Sequence, residues 1–354
     1  MSRPDNAFTR LVGIRHPLIQ APMAGGATTP QLVAAVSNAG ALGSFAAATL
    51  APAAIREGVA RVRELTERPF NVNLFILDDP APSEEEVAQA QARLDPLRAE
   101  LGLPPGGRPA RFCEDNRAQI ETVLELAPPV VSFTFGILDA ATVARFHAAG
   151  CLVMGTATTV AEARAWQAVG ADLVCAQGCE AGGHRGSFLG DPQQSCIGLM
   201  ALLPQMVAAV NIPVVAAGGL MDGRSIAASL LLGAQAAQLG TAFLCCPESG
   251  IPAIWKEAIL AAGDDSTRLT RAFSGRHARG ITNDFMRRFT SMEDQVLAYP
   301  VQNALTGDIR QAAVRQGRSE YLSLWAGQGA AMARPLPAAE LVCLLMEELA
   351  ACRG

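Results

Sequence analysis

A glycine-rich segment contains the residue of this chain best suited to acid–base chemistry. Residues 177–186 read QGCEAGGHRG, and His184 within them is the candidate general base, because imidazole titrates near neutral pH. The surrounding glycines allow the backbone to approach a ligand closely and to offer its N–H groups. A glycine-rich turn that carries a surface histidine is the alternative interpretation.

Three other histidines are weaker candidates. His16 precedes the first predicted strand, and His147 lies near the end of a predicted helix, where its cation would favour the helix dipole. Both are expected to be structural. His277 lies in the basic loop SGRHARG of residues 274–280, which could fold over a site. The sequence leaves it open whether His277 is a substrate contact or a structural loop residue.

Two further glycine-bearing segments are typical of phosphate binding. They read Ala217-Gly218-Gly219 and Gln238-Leu239-Gly240-Thr241, and each comes at the end of a predicted buried strand. Barrel enzymes often bind phosphate at such positions through backbone N–H groups. Close packing of small residues at a barrel rim is the alternative, and Asp222 fits a helix cap instead of a ligand contact.

Polar groups near two other predicted strands fit a flat ring. The first strand ends in APMAGG over residues 21–26, where backbone groups could hydrogen-bond such a ring. Asn71 and Asn73 are amides within an apolar strand, and buried amides need partners. A bound ring and a neighbouring loop are equally good partners on this reasoning.

Missing residue types disfavour several enzyme classes. Lys256 is the only lysine and lies outside the predicted strands, which disfavours a Schiff-base aldolase. No histidine or carboxylate cluster follows a predicted strand, so no metal site is expected. Cys179 lies in the glycine-rich segment, but as a nucleophile it would have no evident base other than His184.

The composition narrows the class of protein further. The chain has 354 residues, of which 50% are hydrophobic and 17% charged, with a net charge of -5. These values exclude a disordered chain and give no basic surface for nucleic acid.

No stretch of 18 apolar residues predicts a membrane span, and the N-terminus lacks the apolar core of a signal peptide. The nine cysteines show no disulfide or zinc spacing, so a reducing, cytoplasmic location is expected.

A recurring unit predicts the architecture that positions these residues. Four times an alanine-rich helical segment ends in glycine and an apolar strand follows, at Gly40, Gly150, Gly170 and Gly233. Adding the segments near residues 18–23, 70–76, 130–135 and 213–219 gives eight strands.

The predicted strands show no alternation of apolar and polar residues, so they are expected to be buried on both faces, as in parallel sheets. The prediction is an α/β fold, a (β/α)8 TIM barrel with its site at the carboxyl ends of the strands. An open doubly wound sheet is the alternative, but no GxGxxG follows the first strand.

Two segments of the chain are additional to the eight strand–helix units of the predicted barrel. Residues 78–111 contain a predicted acidic helix that begins after Ser83 and runs to Leu101. The sequence predicts a barrel over 1–246, a mostly helical cover with substrate contacts over 247–330, and a C-terminal helix over 331–354 that packs back on the barrel.

Taken together, these motifs resemble the nitronate monooxygenase family, formerly the 2-nitropropane dioxygenases. The resemblance runs from about Pro17 to Ala330. It rests on APMAGG at 21–26 and EAGGHRG at 180–186, and on motifs of the class I branch: SGR with ARG at 274–280, Tyr299-Pro300, and LWAGQ at 324–328.

The resemblance implies a barrel that binds FMN non-covalently, with His184 as the catalytic base. The implied FMN contacts are Ala21, Pro22, Met23, Asn71, Gln177, Gly182, Gly218, Gly219, Gln238, Leu239, Gly240 and Thr241. Tyr299 and Trp325 would lie near the substrate or the ring. Arg276 and Arg279 are the expected partners for an anion, and His277 is a further candidate contact.

The implied reaction oxidises alkyl nitronates, such as propionate 3-nitronate, with oxygen to a carbonyl compound and nitrite. His184 would remove the α-proton of neutral nitroalkanes. One alternative is an NAD(P)H-dependent FMN reductase of quinones or enoyl thioesters on the same barrel. Another is a flavin- or phosphate-binding barrel without turnover. The expected partners are small molecules, with no nucleic acid or membrane, and the protein is expected to be a monomer or homodimer.

Overall fold

The computed structural model describes residues 6–191 and 195–352. Within them the chain forms eleven strands: β1 Leu18–Gln20, β2 Gly43–Ala46, β3 Phe70–Phe75, β4 Val130–Thr134, β5 Leu152–Ala157, β6 Leu173–Gln177, β7 Gly183–His184, β8 Val214–Ala217, β9 Ala236–Leu239, β10 Thr267–Thr270 and β11 Ala278–Ile281.

Fifteen α-helices accompany these strands in the described residues. Their bounds are α1 Ala7–Val12, α2 Pro30–Asn38, α3 Pro52–Leu65, α4 Glu84–Glu100, α5 Asn116–Leu126, α6 Ala140–Ala148, α7 Val160–Ala168, α8 Leu199–Ala209, α9 Gly223–Leu231, α10 Thr241–Leu244, α11 Ala253–Leu260, α12 Asp284–Phe289, α13 Val301–Leu305, α14 Gly307–Gln316 and α15 Ala338–Ala351. Short 3₁₀ helices span Thr290–Gln295, Ser319–Tyr321 and Ala330–Met332.

Eight of the strands form a parallel barrel. Their order is β1-β9-β8-β6-β5-β4-β3-β2, and a parallel bridge between Ile19 and Leu42 brings β1 back to the chain entering β2. Leu42 donates to the Leu18 carbonyl at 2.9 Å, and Gln20 donates to the Leu42 carbonyl at 3.0 Å. The predicted (β/α)8 barrel is confirmed, and each observed strand lies within two or three residues of the predicted bounds.

Local sequence explains why the barrel elements begin and end where they do. All six residues of β3 are buried, as expected for a strand covered on both faces. Helices begin after side chains that accept a hydrogen bond from the first turn, such as Asp139 before α6 and Thr159 before α7. The predicted stop at Gly150 adopts a φ of 81° just after α6, a conformation that favours glycine.

The cover over the barrel is built from two separate parts of the chain. Helix α4 begins after Ser83, whose side chain forms a reciprocal capping box with Glu86. The apolar side of α4, including Leu94 and Leu97, packs in one buried cluster with Phe273 and other residues of 272–324. The prediction of a mostly helical cover missed an antiparallel sheet in the order β10-β11-β7. That sheet ties the cover to the segment containing His184.

The C-terminal helix lies against the barrel helices. Leu341 and Leu345 of α15 are buried in the same apolar cluster as Leu32 of α2 and Ile226 of α9. Glu348 accepts a hydrogen bond from the backbone of Gly223 at 2.8 Å, at the start of α9. None of the helices in the described residues is long and apolar enough to cross a membrane.

Candidate active site

A cavity of about 400 Å³ lies between the carboxyl ends of the barrel strands and the cover, within the usual size range of small-molecule sites. Strands β6, β8 and β9 end at this cavity, and the cover closes its other side. Of the residues expected at the site, the following line the cavity: Ala21, Pro22, Met23, Gln177, Gly182, His184, Gly218, Gly219, Gln238, Gly240, Thr241, Tyr299 and Trp325.

Two of the expected cofactor contacts lie away from the cavity wall. The Asn71 amide donates to the hydroxyls of Ser44 at 3.1 Å and Ser132 at 2.9 Å, deep inside the barrel. Asn73 lines the cavity in its place. Leu239 is fully buried, and its carbonyl accepts from the Ala21 backbone at 2.8 Å. Leu239 therefore holds the first strand end in position and does not face the cavity.

The expected anion partners of the loop 274–280 bind backbone carbonyls instead. Arg276 donates to the carbonyls of Arg185 and Ser187, and its guanidinium lies over the Phe135 ring, 4.1 Å from the centroid. Arg279 donates to the Cys179 carbonyl at 3.0 Å. Neither arginine, nor His277, is part of the cavity wall. The predicted contacts of Arg276, Arg279 and His277 with substrate are thus without geometric support.

His184 is held by aromatic rings and by one hydroxyl. The centroids of Phe135, Tyr299 and Trp325 each lie 5.5 Å from the centroid of the imidazole ring. The Nε2 atom is 2.8 Å from the hydroxyl oxygen of Ser274. Phe135 follows β4 with a φ of 79°, a conformation rare for bulky residues that is often found at functional sites.

The electrostatic surroundings keep His184 neutral. Burial lowers the pKa of its imidazole, and the guanidinium groups of Arg276 and Arg310 lower it further, to about 3. Burial also raises the pKa of the neighbouring Tyr299 above its ordinary value. At neutral pH the imidazole ring is uncharged and the phenol keeps its proton.

The motif that contains His184 is fixed by its own arginine. The buried guanidinium of Arg185 donates to the Gly178 carbonyl at 2.7 Å and to the Gln177 side chain at 3.1 Å. Gln177 also accepts from the Gly186 backbone and donates to the His184 carbonyl. These hydrogen bonds fold residues 177–186 back on the end of β6 and present His184 to the cavity.

The strand ends opposite His184 offer small residues and one unpaired amide oxygen. Gly218 and Gly219 have φ values of 121° and 70°, so the backbone turns sharply at the end of β8. The Oε1 atom of Gln238 is buried and has no hydrogen-bond partner among the described residues. A buried amide oxygen without a partner is unfavourable, so this group is free to bind a ligand.

The sequence analysis missed Arg310, the one arginine on the cavity wall among the residues that the structure describes. The Arg310 guanidinium donates to the carbonyl and side-chain oxygens of Asn303, at 2.7 and 3.1 Å. Burial lowers the pKa of Arg310, and the part of the chain that the structure describes gives it no ion pair with a carboxylate. Buried charges are normally paired, so Arg310 makes the cavity suitable for an anion. Its amphipathic helix gave no signal that this side chain points inward.

Cys179 does not reach the cavity wall. Its sulfur lies 2.7 Å from the sulfur of Cys196 and 3.9 Å from a guanidinium nitrogen of Arg279. No hydrogen bond joins His184 and Cys179 among the described residues. The geometry gives no support for a nucleophilic Cys179 at this site.

Comparison with known proteins agrees with this site. The family model described as nitronate monooxygenase matches residues 5–348. The chain belongs to the nitronate monooxygenase family. It is therefore an oxidoreductase, and the resemblance drawn from its motifs is confirmed.

Relatives of this family match the chain along nearly its whole length. A probable nitronate monooxygenase of Staphylococcus haemolyticus is 42% identical over 347 residues, which are 98% of this chain and 97% of the relative. Among solved structures, nitroalkane oxidase from Streptomyces ansochromogenes is 45% identical, with a TM-score of 0.90 over 98% of this chain and 99% of that one. FabK from Thermotoga maritima is 29% identical, with a TM-score of 0.77 over 98% and 96% of the two chains.

Proposed function

We propose that the protein is an FMN-dependent monooxygenase of anionic alkyl nitronates, with propionate 3-nitronate as a representative substrate. Oxygen is the oxidant, and a carbonyl compound and nitrite are the products. The observation that carries the proposal is the presence, in one cavity, of the neutral His184 and the cationic Arg310. In this proposal residues 1–246 hold the cofactor and residues 247–330 cover the substrate.

The barrel side of the cavity fits FMN. The unpaired Gln238 oxygen offers a polar contact for a ring, and Asn73, Ala21, Pro22 and Met23 line the same cavity. The small residues Gly218, Gly219 and Gly240 leave room for a phosphate near backbone N–H groups. Thr241 accepts from the Gly327 backbone at 2.9 Å and keeps its own proton to donate. When bound, FMN supplies the redox chemistry, and the protein supplies binding, orientation and electrostatics.

The charge of Arg310 favours an anionic substrate. A guanidinium in a low-dielectric cavity interacts strongly with an anion and can bind a carboxylate or a nitronate through two N–H groups. Asn303 holds this guanidinium from one side. A nitronate that carries a second anionic group would gain most from this contact.

The state of His184 also favours nitronates over neutral nitroalkanes. A neutral nitroalkane must lose its α-proton, and His184 is the group placed to accept it. A base whose pKa lies well below the working pH accepts a proton poorly. A nitronate formed beforehand needs no such step, so we infer that it is the better substrate.

An anaerobic mixing experiment tests the proposal. The purified protein is mixed with propionate 3-nitronate, NADH or NADPH in turn, and the flavin absorbance is followed. We expect the nitronate alone to reduce the flavin, and oxygen to restore the oxidised spectrum with release of nitrite. Rapid bleaching by NADH, with no effect of the nitronate, would assign the chain to the reductase alternative.

A further inference from the structure

Ser274 lies directly beside the imidazole ring of His184. The serine is buried, with 1% of its surface exposed, in the turn between β10 and β11. Strand β7, which contains His184, pairs with β11 opposite Ala278. The same small sheet therefore provides both the base and the hydroxyl beside it.

The hydrogen bonds of Ser274 leave one arrangement that satisfies all its partners. A hydroxyl has one proton to donate and two lone pairs that accept. The Arg276 carbonyl, 3.1 Å away, can only accept, and the described residues offer it no other donor, so it takes the hydroxyl proton. The Arg276 N–H, at 3.4 Å, donates to one lone pair. The second lone pair remains for His184 Nε2 at 2.8 Å.

A lone pair on the Ser274 oxygen can only accept a hydrogen bond. The Nε2 atom of His184 must therefore carry a proton in order to donate to it. We propose that Ser274 is a positioning residue that fixes His184 in the Nε2-protonated tautomer, so that Nδ1 is the atom that accepts the substrate proton. The consequence for catalysis rests on the proposed nitronate chemistry, but the tautomer does not. No other hydrogen bond of the His184 ring occurs within residues 6–191 and 195–352, so Nδ1 is free for a ligand.

The aromatic residues around His184 serve a different purpose. Phe135, Tyr299 and Trp325 hold the plane of the imidazole ring at equal centroid distances of 5.5 Å. Rings constrain orientation, but they do not distinguish a protonated nitrogen from an unprotonated one. Ser274 alone among the described contacts makes that distinction.

The turn that carries Ser274 has little freedom to move away. Gly275 adopts a φ of 81°, and a Cβ there would lie 1.9 Å from the Leu297 carbonyl oxygen. Its N–H donates to the Arg271 carbonyl at 2.7 Å. Because the turn is packed this closely, its backbone cannot carry Ser274 away from the imidazole without breaking several contacts.

Nitrogen NMR of the histidine rings tests the tautomer without any turnover. The chain has only four histidines, so ¹⁵N-histidine labelling gives four ring systems, and His184→Asn assigns one of them. In the protein as purified we expect Nε2 of His184 to show a protonated, pyrrole-type shift and Nδ1 a pyridine-type shift. The reverse assignment would overturn the proposal. Ser274→Ala should give a mixture of the two tautomers, and an unchanged spectrum would also contradict it.

Kinetics then test the consequence for proton transfer. We expect Ser274→Ala to lower kcat for neutral nitroalkanes by roughly 10- to 100-fold with little change in KM, since a wrong tautomer removes the base. Preformed nitronates, which need no base, should change by less than about twofold. Ser274→Thr, which keeps the hydroxyl, should restore most of the rate.

Matched variants keep the two proposals separable. Ser229→Ala removes another buried serine hydroxyl, bonded at 2.9 Å to the Ser225 carbonyl within α9, and should leave both substrates unaffected. Equal losses on neutral and anionic substrates in Ser274→Ala would assign Ser274 a purely structural role. If the wild type does not oxidise nitronates but shows the expected tautomer, the proposed function fails and the role of Ser274 stands.

Discussion

The two walls of the cavity differ in the chemistry that they offer. The barrel wall consists of strand ends with glycine, alanine and side-chain amides, such as Gly219, Asn73 and Gln238. The cover contributes the aromatic rings of Tyr299 and Trp325 and the cation of Arg310. Every charged side chain on the described cavity wall, apart from the titratable His184, comes from the cover.

In the proposed function, this difference separates cofactor binding from substrate selection. Backbone groups and amides on rigid strands suit a cofactor that is the same throughout a family. Side chains on a separate segment can change without disturbing the barrel, because function is commonly carried by connecting segments on a rigid scaffold. We therefore expect changes on the barrel wall to remove the cofactor and changes on the cover to alter the choice of substrate.

The largest expected effect is loss of the cofactor through the barrel wall. Gly219→Leu places a bulky side chain at a residue that lines the cavity, with φ of 70°, close to Glu180. We expect the protein to be purified without flavin and nitronate turnover to fall to background. Flavin released on denaturation and its absorbance measure the outcome.

A matched glycine controls for backbone strain in that experiment. Gly317 has a φ of 66° at the end of α14, and a Cβ there would meet no atom within 4 Å. Gly317→Leu should carry similar strain but keep the flavin and the activity. Flavin retained in Gly219→Leu, at the wild-type ratio, would show that the phosphate does not lie at the end of β8.

A smaller effect is expected from the cation of the cover. Arg310→Gln removes the charge but keeps a polar side chain. We expect kcat/KM for propionate 3-nitronate to fall by about 10- to 100-fold, the value of one hydrogen bond to a charged group. Neutral nitroalkanes should lose much less. The flavin content should be unchanged, because Arg310 lies on the cover.

The Arg310 experiment has its own controls. Arg315→Gln changes an exposed arginine of the same helix and should affect neither substrate. Arg310 is one of the cations that lower the pKa of His184, so its removal raises that pKa. Assays at mildly alkaline pH keep His184 neutral in both the variant and the wild type. Equal losses on anionic and neutral substrates would mean that Arg310 supports the cover and does not bind the anion.

The barrel and much of its wall could be predicted from sequence. Buried parallel strands are continuous apolar segments, and helix caps have recognisable side chains, so both leave local signals. The glycine-rich segment around His184 was found for the same reason.

Other parts of the site depend on depth and packing, which leave no local signal. Asn71 and Asn73 face the same side of β3, but two residues correspond to about 6.6 Å along a strand. Only the depth of each amide in the barrel decides that Asn73 reaches the cavity. Arg276 was expected to bind an anion, but its guanidinium donates to backbone carbonyls, whereas Arg310 was not singled out from the sequence. Which arginine binds a ligand is decided by contacts between distant segments.

The smallest expected effect concerns the protonation of His184, which burial and the cations of the cover both oppose. In the unfolded chain His184 takes up a proton near its ordinary pKa of 6.5, whereas burial and the cover residues Arg276 and Arg310 keep it neutral in the folded protein down to about 3. Between these two pH values the unfolded state binds more protons than the folded state. The contribution of His184 to the free energy of unfolding is therefore complete above pH 6.5 and is lost as the pH falls towards 3.

His184→Asn should remove this one contribution. The pKa values of His16 and His277 are also lowered by burial, so some loss of stability in acid should remain. Between neutral pH and about pH 5, we expect the variant to lose less free energy of unfolding than the wild type, by up to about 2 kcal/mol. Urea unfolding at the two pH values measures the difference. Identical pH dependence in the two proteins would mean that His184 is protonated in the folded state as readily as in the unfolded chain, and that neither burial nor the cations of the cover lower its pKa.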